Sequence, residues 1–188
     1  ARLVVREMTD SLSLDLFEKG LVTDQLVLTI GYDIENLTDP ERRKKYKGAV
    51  TKDRYGRSIP KHAHGTENMT RKTSSTELMV TAMMNLYDRI TDPDLLIRRI
   101  NLAAAHITAE SDLTMQQQPQ QMDLFTDYEA LQKKQEEENA RIEEEKQMQK
   151  ALLTIRKKYG KNAVLKGASY EEGATARQRN GQIGGHKA

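Results

Sequence analysis

Residues 114–126 have no hydrophobic period, and Gln runs surround Pro119 there. Gln-rich sequence broken by Pro cannot bury enough apolar surface to fold alone. This interruption limits the fold more than any other feature, because it separates a globular-looking segment from a charged, helix-prone one. The 188 residues suffice for one domain plus extensions. At 37% hydrophobic and 31% charged residues, the chain is too polar to be compact throughout. We therefore expect a folded half before the interruption and a solvated half after it.

The folded half carries both standard periods. Residues 2–19 read as a helix with Val5, Met8, Leu12 and Leu16 on one face, stopped by Gly20. Residues 23–34 read as a strand, in which Leu26, Leu28, Ile30 and Tyr32 alternate with Val27, Thr29, Gly31 and Asp33. Residues 39–64 are rich in Lys, Arg, Gly and Pro and read as a long basic loop. Residues 66–75 form a second strand, pairing antiparallel with the first. Ser74-x-x-Glu77 has the form of a capping box and opens a helix with Met79, Ala82, Met83, Leu86 and Ile90 on one face. Asp92-Pro93 ends that helix. Residues 95–107 give a third strand, with Ile100, Leu102 and Ala104 on one side and Arg99 and Asn101 on the other.

The order helix, strand, strand, helix, strand is that of a split β-α-β unit, βαββαβ, without its first strand. The fold class is α+β, with helices on one sheet face and the other face free for a ligand. In that scheme the absent strand lies between the third and fourth strands. The opening residues, Ala-Arg-Leu-Val-Val, have no initiator Met and read as the middle of a helix, so the chain is expected to be a fragment with unpaired strand edges and marginal stability.

Residues 128–159 are dominated by Glu, Lys, Gln and Ala, all good helix formers. Leu131, Ile142, Leu152 and Ile155 are too sparse for a two-stranded coiled coil, so a solvated single helix ending at Gly160 is expected. Residues 160–188 are Gly-rich and basic and are expected to be mobile in isolation. The segments divide as 1–110, a linker at 111–126, a charged helix at 127–159 and a basic tail at 160–188.

The net charge of +2 conceals segregation. Residues 40–72 hold 11 Lys or Arg against 3 acids, residues 127–147 hold 8 acids against 4 bases, and residues 150–188 hold 9 bases against 2 acids. Basic segments flanking an acidic one point to a polyanionic partner. With no cysteine there is no disulfide or thiolate site, and a reducing compartment is expected. No run of 18 apolar residues is present to span a membrane, and the start has no signal-peptide pattern. Glu136–Glu138 and Glu143–Glu145 point in different directions around a helix and read as a solvated face. His62-x-His64 has the spacing of half a metal site but no local third ligand, and reads as loop chemistry.

Within the interruption, Gln121-Met122-Asp123-Leu124-Phe125 places three large apolar side chains close together on a polar tether. One reading is that Leu124 and Phe125 staple the entry to the following helix. The other comes from a resemblance: the pentapeptide is similar to the clamp-binding motif of bacterial DNA polymerases, Gln-Leu-(Ser or Asp)-Leu-Phe, with Met122 in place of Leu. The run Leu-Val-Leu-Thr-Ile-Gly-Tyr-Asp at 26–33, with Arg71-Lys72-Thr73, resembles the little finger of Y-family DNA polymerases. The nearest branch is the UmuC/ImpB/MucB/SamB type of Gram-positive bacteria and their mobile elements. The tail Glu-Gly-Ala-Thr-Ala-Arg-Gln-Arg-Asn-Gly-Gln-Ile-Gly-Gly-His-Lys at 172–187 is similar to the ending of that branch.

The resemblance implies that residues 1–110 are a little-finger DNA-binding domain, truncated at its N-terminus. It implies sequence-independent phosphate contacts from Arg42, Arg43, Lys44, Lys45, Arg71 and Lys72. It implies docking of Gln121, Met122, Asp123, Leu124 and Phe125 on a bacterial beta sliding clamp. The family's catalytic carboxylates and their magnesium ions belong to a palm upstream, so this chain is expected to carry no catalytic residue and no cofactor. The expected function is the DNA-binding and clamp-binding C-terminal region of a cytoplasmic, nucleoid-associated translesion polymerase acting in DNA repair and the SOS response. The alternative is a non-catalytic nucleic-acid-binding adaptor with a helical partner-binding tail.

Overall fold

The computed structural model describes residues 1–113, 128–183 and 186–187. Helix α1 (Arg2–Glu18) leads into the long strand β1 (Leu21–Tyr32), then the short helices α2 (Glu35–Thr38) and α3 (Pro40–Lys45). A hairpin of β2 (Val50–Lys52) and β3 (Ser58–Pro60) precedes β4 (Ala63–Thr73), α4 (Thr76–Ile90), β5 (Ile97–Ala105), β6 (Thr108–Ala109) and α5 (Glu110–Leu113). The second half contains α6 (Tyr128–Tyr159), a 3-10 turn (Gly167–Tyr170), α7 (Ala176–Arg179) and the pair β7 (Gln182–Ile183) and β8 (His186–Lys187). The protein is thus mixed helix and antiparallel sheet with a long C-terminal helix.

The main sheet has the order β4-β1-β5, both pairings antiparallel, and β6 extends it against Leu21 and Val22 of β1. The split βαββαβ scheme leaves a gap between the strands that became β4 and β5. Here β1 fills that place. Its 12 residues are long enough to pair on both sides, and Leu26, Leu28 and Ile30 are fully buried beneath the helices. Unpaired edges do occur, and in the main sheet, among the described residues, they are the outer edges of β4, β5 and β6.

Helices α1 and α4 pack side by side on one sheet face. Val5 and Leu16 come from α1, and Met79, Met83 and Leu86 from α4, into the cluster built on Leu26, Leu28, Ile30 and Tyr32. Each such side chain contributes about 1.5–3 kcal/mol on burial. Met8 and Leu12, expected on the α1 face, are half-buried at its rim, while Thr9 and Ser13 are fully buried. Their hydroxyls donate to the carbonyls of Val5 (2.8 Å) and Asp10 (2.9 Å), and Ser13 Oγ lies 2.7 Å from Thr76 Oγ1. Hydroxyls that bond back to their own helix can be buried without an orphaned polar group. Gly65 is where α4 comes closest to β4, since a Cβ there would sit 3.0 Å from Leu86 Cδ1 and 3.1 Å from Ile90 Cγ2. Gly20 stops α1 at φ 64°, as expected of a left-handed C-terminal position.

Three expectations are corrected. The long basic loop at 39–64 is structured. Asp39 caps α3 by accepting from the Arg42 N–H at 2.8 Å, with Pro40 in the first turn, and Pro60 of the hairpin is fully buried. These elements are three to six residues long, too short for a periodic pattern to register. The cap of α4 is Ser75, one residue later than expected, and it accepts from the Leu78 N–H at 3.3 Å.

The third correction concerns the second half, which is docked rather than solvated. Along α6, Ile142, Glu145, Lys146, Gln149, Leu152, Leu153 and Arg156 form a stripe of reduced exposure at three- and four-residue steps. Gln149 is buried and donates to the Ser74 carbonyl (3.1 Å) and Thr76 Oγ1 (3.0 Å). Residues 160–180 then fold back on α1. Glu7, which is buried, accepts from the Thr175 N–H (3.0 Å) and from Arg179 Nη2 (3.1 Å), while Lys166 pairs with Asp10.

Candidate nucleic-acid interface

Directly opposed residues of antiparallel strands share a face. Leu26, Leu28 and Ile30 oppose Glu67, Gly65 and Ala63 on the helix side. Gln25, Val27 and Thr29 therefore lie on the other side, with Asn68, Thr66 and His64 of β4 and Ala105, Ala103 and Asn101 of β5. Gly31 opposes Arg99 on the same side. Here His64, Thr66, Asn68, Arg99, Asn101 and Ala103 are exposed, and none of the residues on this face is acidic. The polar side chains are tied across the strands: Gln25 Nε2 donates to Asn68 Oδ1 at 2.8 Å, and Thr29 Oγ1 lies 2.8 Å from His64 Nδ1. Such a surface is flat, hydrogen-bond capable and uncharged except at its margin.

Cations stand at that margin. The β2–β3 hairpin and the sheet enclose a hollow of about 480 Å³ walled by Thr29, Gly31, Arg57, His62, Arg98 and Arg99, among others. Arg57 is held by Asp53 at 2.8 Å, and Arg98 reaches Asp33 at 3.4 Å. Burial raises the Asp53 carboxyl pKa, but donors from the Arg57 backbone and side chain and from the Tyr55 backbone outweigh it and hold the group below its ordinary value. The end of β1 is fixed by buried Asn36, which donates to the carbonyls of Asp33 and Leu96 and accepts from the Leu96 N–H, each at 2.9 Å. Tyr32 adds its hydroxyl as acceptor for the Asp92 N–H at 3.0 Å, and burial raises its pKa.

The basic residues expected to form one DNA-contacting set lie in two places. Arg42, Arg43, Lys44 and Lys45 are exposed on α3, beyond the Tyr32 end of β1. Arg43 donates to the Tyr46 carbonyl at 3.2 Å, Lys44 pairs with Glu41 at 2.9 Å, and a hollow beside α3 has Asp92 and Asp94 in its wall. Arg71 and Lys72 lie toward the opposite end, where Thr73 opposes Thr23. At the strand rise per residue, the two ends are roughly 30 Å apart. Arg71 donates to Asn139 at 2.9 Å and sits 3.5 Å from Glu138, and Lys72 donates to Thr108 at 3.2 Å. The pentapeptide Gln121–Phe125 lies outside the described residues.

Sequence reasoning placed Arg99 and Asn101 on the side away from Ile100, and the strand bears this out. It did not single out Arg57, Arg98 or Tyr55. The signal for Tyr55 and Arg57 was the Asp-x-x-Gly spacing of Asp53 and Gly56, which marks a tight turn between the short strands. Comparison with family models, with curated proteins and with solved structures returns no match for this chain.

Proposed function

We propose that this chain is the DNA-binding and clamp-binding C-terminal region of a Y-family translesion DNA polymerase. The observation that carries the nucleic-acid part is the acid-free open sheet face with arginines at its margin. A surface of short polar side chains beside cations suits a partner met through its phosphates, because cations fix position without reading bases. Indifference to sequence is what a polymerase copying damaged template requires. The little-finger reading is kept with one change: a further strand in a longer parent would join at an outer edge, β4 or β5, since β1 holds the centre.

The clamp part is supported by the pentapeptide and its position. It falls in the interval between α5 and α6, and Glu110 of α5 pairs with Lys146 of α6 at 2.5 Å. The parent enzyme would work in the cytoplasm on the nucleoid, with magnesium bound by its own palm. Among the described residues no helix is long and apolar enough to cross a membrane.

The test is DNA binding by the chain as a function of salt. Neutralising about four phosphates predicts a log–log slope of roughly −3 to −4 on duplex DNA. Arg57→Ala with Arg98→Ala and Arg99→Ala is expected to weaken all sequences alike and flatten the slope. Salt-independent binding, or loss confined to one base sequence, rejects phosphate contacts.

A further inference from the structure

The β2–β3 hairpin carries an aromatic ring at its tip. Tyr55 is 69% exposed. The guanidinium carbons of Arg54 and Arg57 lie 5.0 and 5.2 Å from its ring centroid. Among the described residues the other cation–ring contacts, Lys158 with Tyr159 and Arg177 with Tyr170, have one cation each and belong to the C-terminal half.

The tip is held rigidly for so short a hairpin. One Asp53 oxygen accepts from the Tyr55 N–H (2.8 Å) and the Arg57 N–H (2.9 Å), and the other accepts from Arg57 Nε at 2.8 Å. The Asp53 N–H donates to the Arg57 carbonyl at 2.9 Å, and Gly56 turns the chain at φ 77°, where a side chain would be strained. Asp53 thereby aims Arg57 back along the turn toward the ring. Lys52 and Lys61 lie on the arms, and the hairpin walls the hollow beside the open sheet face.

We infer that the hairpin tip is a stacking post for an unpaired nucleobase: the base takes the place of the Arg54 guanidinium over the Tyr55 ring, and Arg54 turns to a flanking phosphate while Arg57 stays on Asp53. The inference rests on the nucleic-acid reading above and adds the strand state of the ligand. A base inside a duplex already has both faces covered by its neighbours. A single tyrosine on a narrow hairpin therefore stacks where a base is unpaired, in a single strand or at its junction with a duplex. Every base has a π-face, so such a post is indifferent to sequence. The turn holds the ring before binding, which reduces the ordering cost of the contact.

The test uses the full chain with a short oligothymidylate and with an abasic strand of equal length and charge, at one salt concentration. Wild-type protein is expected to bind the base-bearing strand about tenfold more tightly. Tyr55→Ala is expected to erase that preference and leave abasic binding unchanged. The chain has no Trp, so Tyr55→Trp supplies a single indole whose fluorescence should be quenched by oligothymidylate and not by the abasic strand. Equal binding of both strands by wild type, a preference that survives Tyr55→Ala, or an indole that ignores the bases overturns the stacking post and leaves phosphate binding standing. Failure to bind either strand overturns both.

Discussion

Arg179 donates to the Glu7 carboxylate at 3.1 Å, joining the C-terminal segment to the first helix across 172 positions. The same oxygen accepts from the Thr175 N–H and hydroxyl, so one carboxylate anchors the start and the end of α7. The Glu7 side chain is 5% exposed and that of Arg179 is 30% exposed, and water can thus reach only the arginine. Losing Glu7 leaves an arginine that rehydrates, so the cost falls below that of a fully buried broken pair. Glu7→Ala is expected to destabilise by about 2 kcal/mol, and Glu7→Gln, which keeps an acceptor for Thr175, by about 1 kcal/mol. Denaturant unfolding measures both. Trypsin should cut the 161–179 region faster in each variant than in Asp15→Ala, which removes an exposed pair with Lys19. Unchanged cleavage in Glu7→Ala would show that this contact does not hold the tail.

A second long-range contact adds to the cap of α4. Ser75 caps α4, and the acid of a capping box belongs three residues later, where this chain has Leu78. The Ser75 N–H that such an acid would take donates instead to Thr73 Oγ1 at 2.9 Å, and Glu145 of α6 caps a further donor, accepting from the Glu77 N–H at 3.0 Å and from the Ser75 hydroxyl. Ser75→Ala is expected to cost about 1 kcal/mol and Glu145→Ala about 1 kcal/mol. Because both act on one set of N–H groups, the double variant should lose less than the sum, by at least about 0.5 kcal/mol. Additive losses in a thermal-unfolding cycle would mean that Glu145 does not cap α4.

These two contacts show what was legible in the chain. Leu26, Leu28, Ile30 and Tyr32 could be read as one strand face because apolar alternation is a local signal, and Met79, Met83 and Leu86 as a helix face for the same reason. The α6 stripe was hidden because its less exposed positions include Glu145, Gln149 and Arg156, which an apolar template scores as solvent-facing. Their burial depends on partners far along the chain, such as Ser74 and Thr76 for Gln149. The central place of β1 was missed for a related reason: strand order is set by which edges meet, and side-chain alternation is the same at centre and edge. The basic residues were chosen from charge segregation and the family resemblance, neither of which tells Arg99, without a partner among the described residues, from Arg71, engaged by α6.

Acid should act on the hairpin through Asp53. Its folded pKa lies below the ordinary carboxylate value, so its contribution is complete above the unfolded pKa and is lost as pH falls through the lower folded one. The amide resonances of Tyr55 and Arg57 are expected to move together in a single transition below the ordinary carboxylate range. Asp53→Asn should abolish that transition, since it leaves no titrating group in the turn. Movement of these amides in the wild type at neutral pH, or its survival in Asp53→Asn, would exclude Asp53 as the cause.

The clamp contact is tested on the pentapeptide itself. In the family's mode the motif lies extended in a groove, with Leu124 and Phe125 in one apolar pocket and Gln121 hydrogen-bonded in a smaller one. Fixing a Gln- and Pro-containing peptide in one conformation costs entropy, which offsets part of the gain from burying the two anchors. The affinity is therefore expected to be about micromolar, or roughly −8 kcal/mol. Hot-spot interfaces concentrate their energy in a few buried anchors, so Leu124→Ala with Phe125→Ala should weaken binding by more than roughly a hundredfold. Asp123→Ala should matter less, because the family's mode leaves that position near solvent. Calorimetric titration of a peptide covering residues 116–128 into a bacterial sliding clamp measures all three, and the full chain is expected to bind comparably. Equal binding by the wild-type and double-Ala peptides would remove the clamp from the proposal and leave nucleic-acid binding resting on the open sheet face.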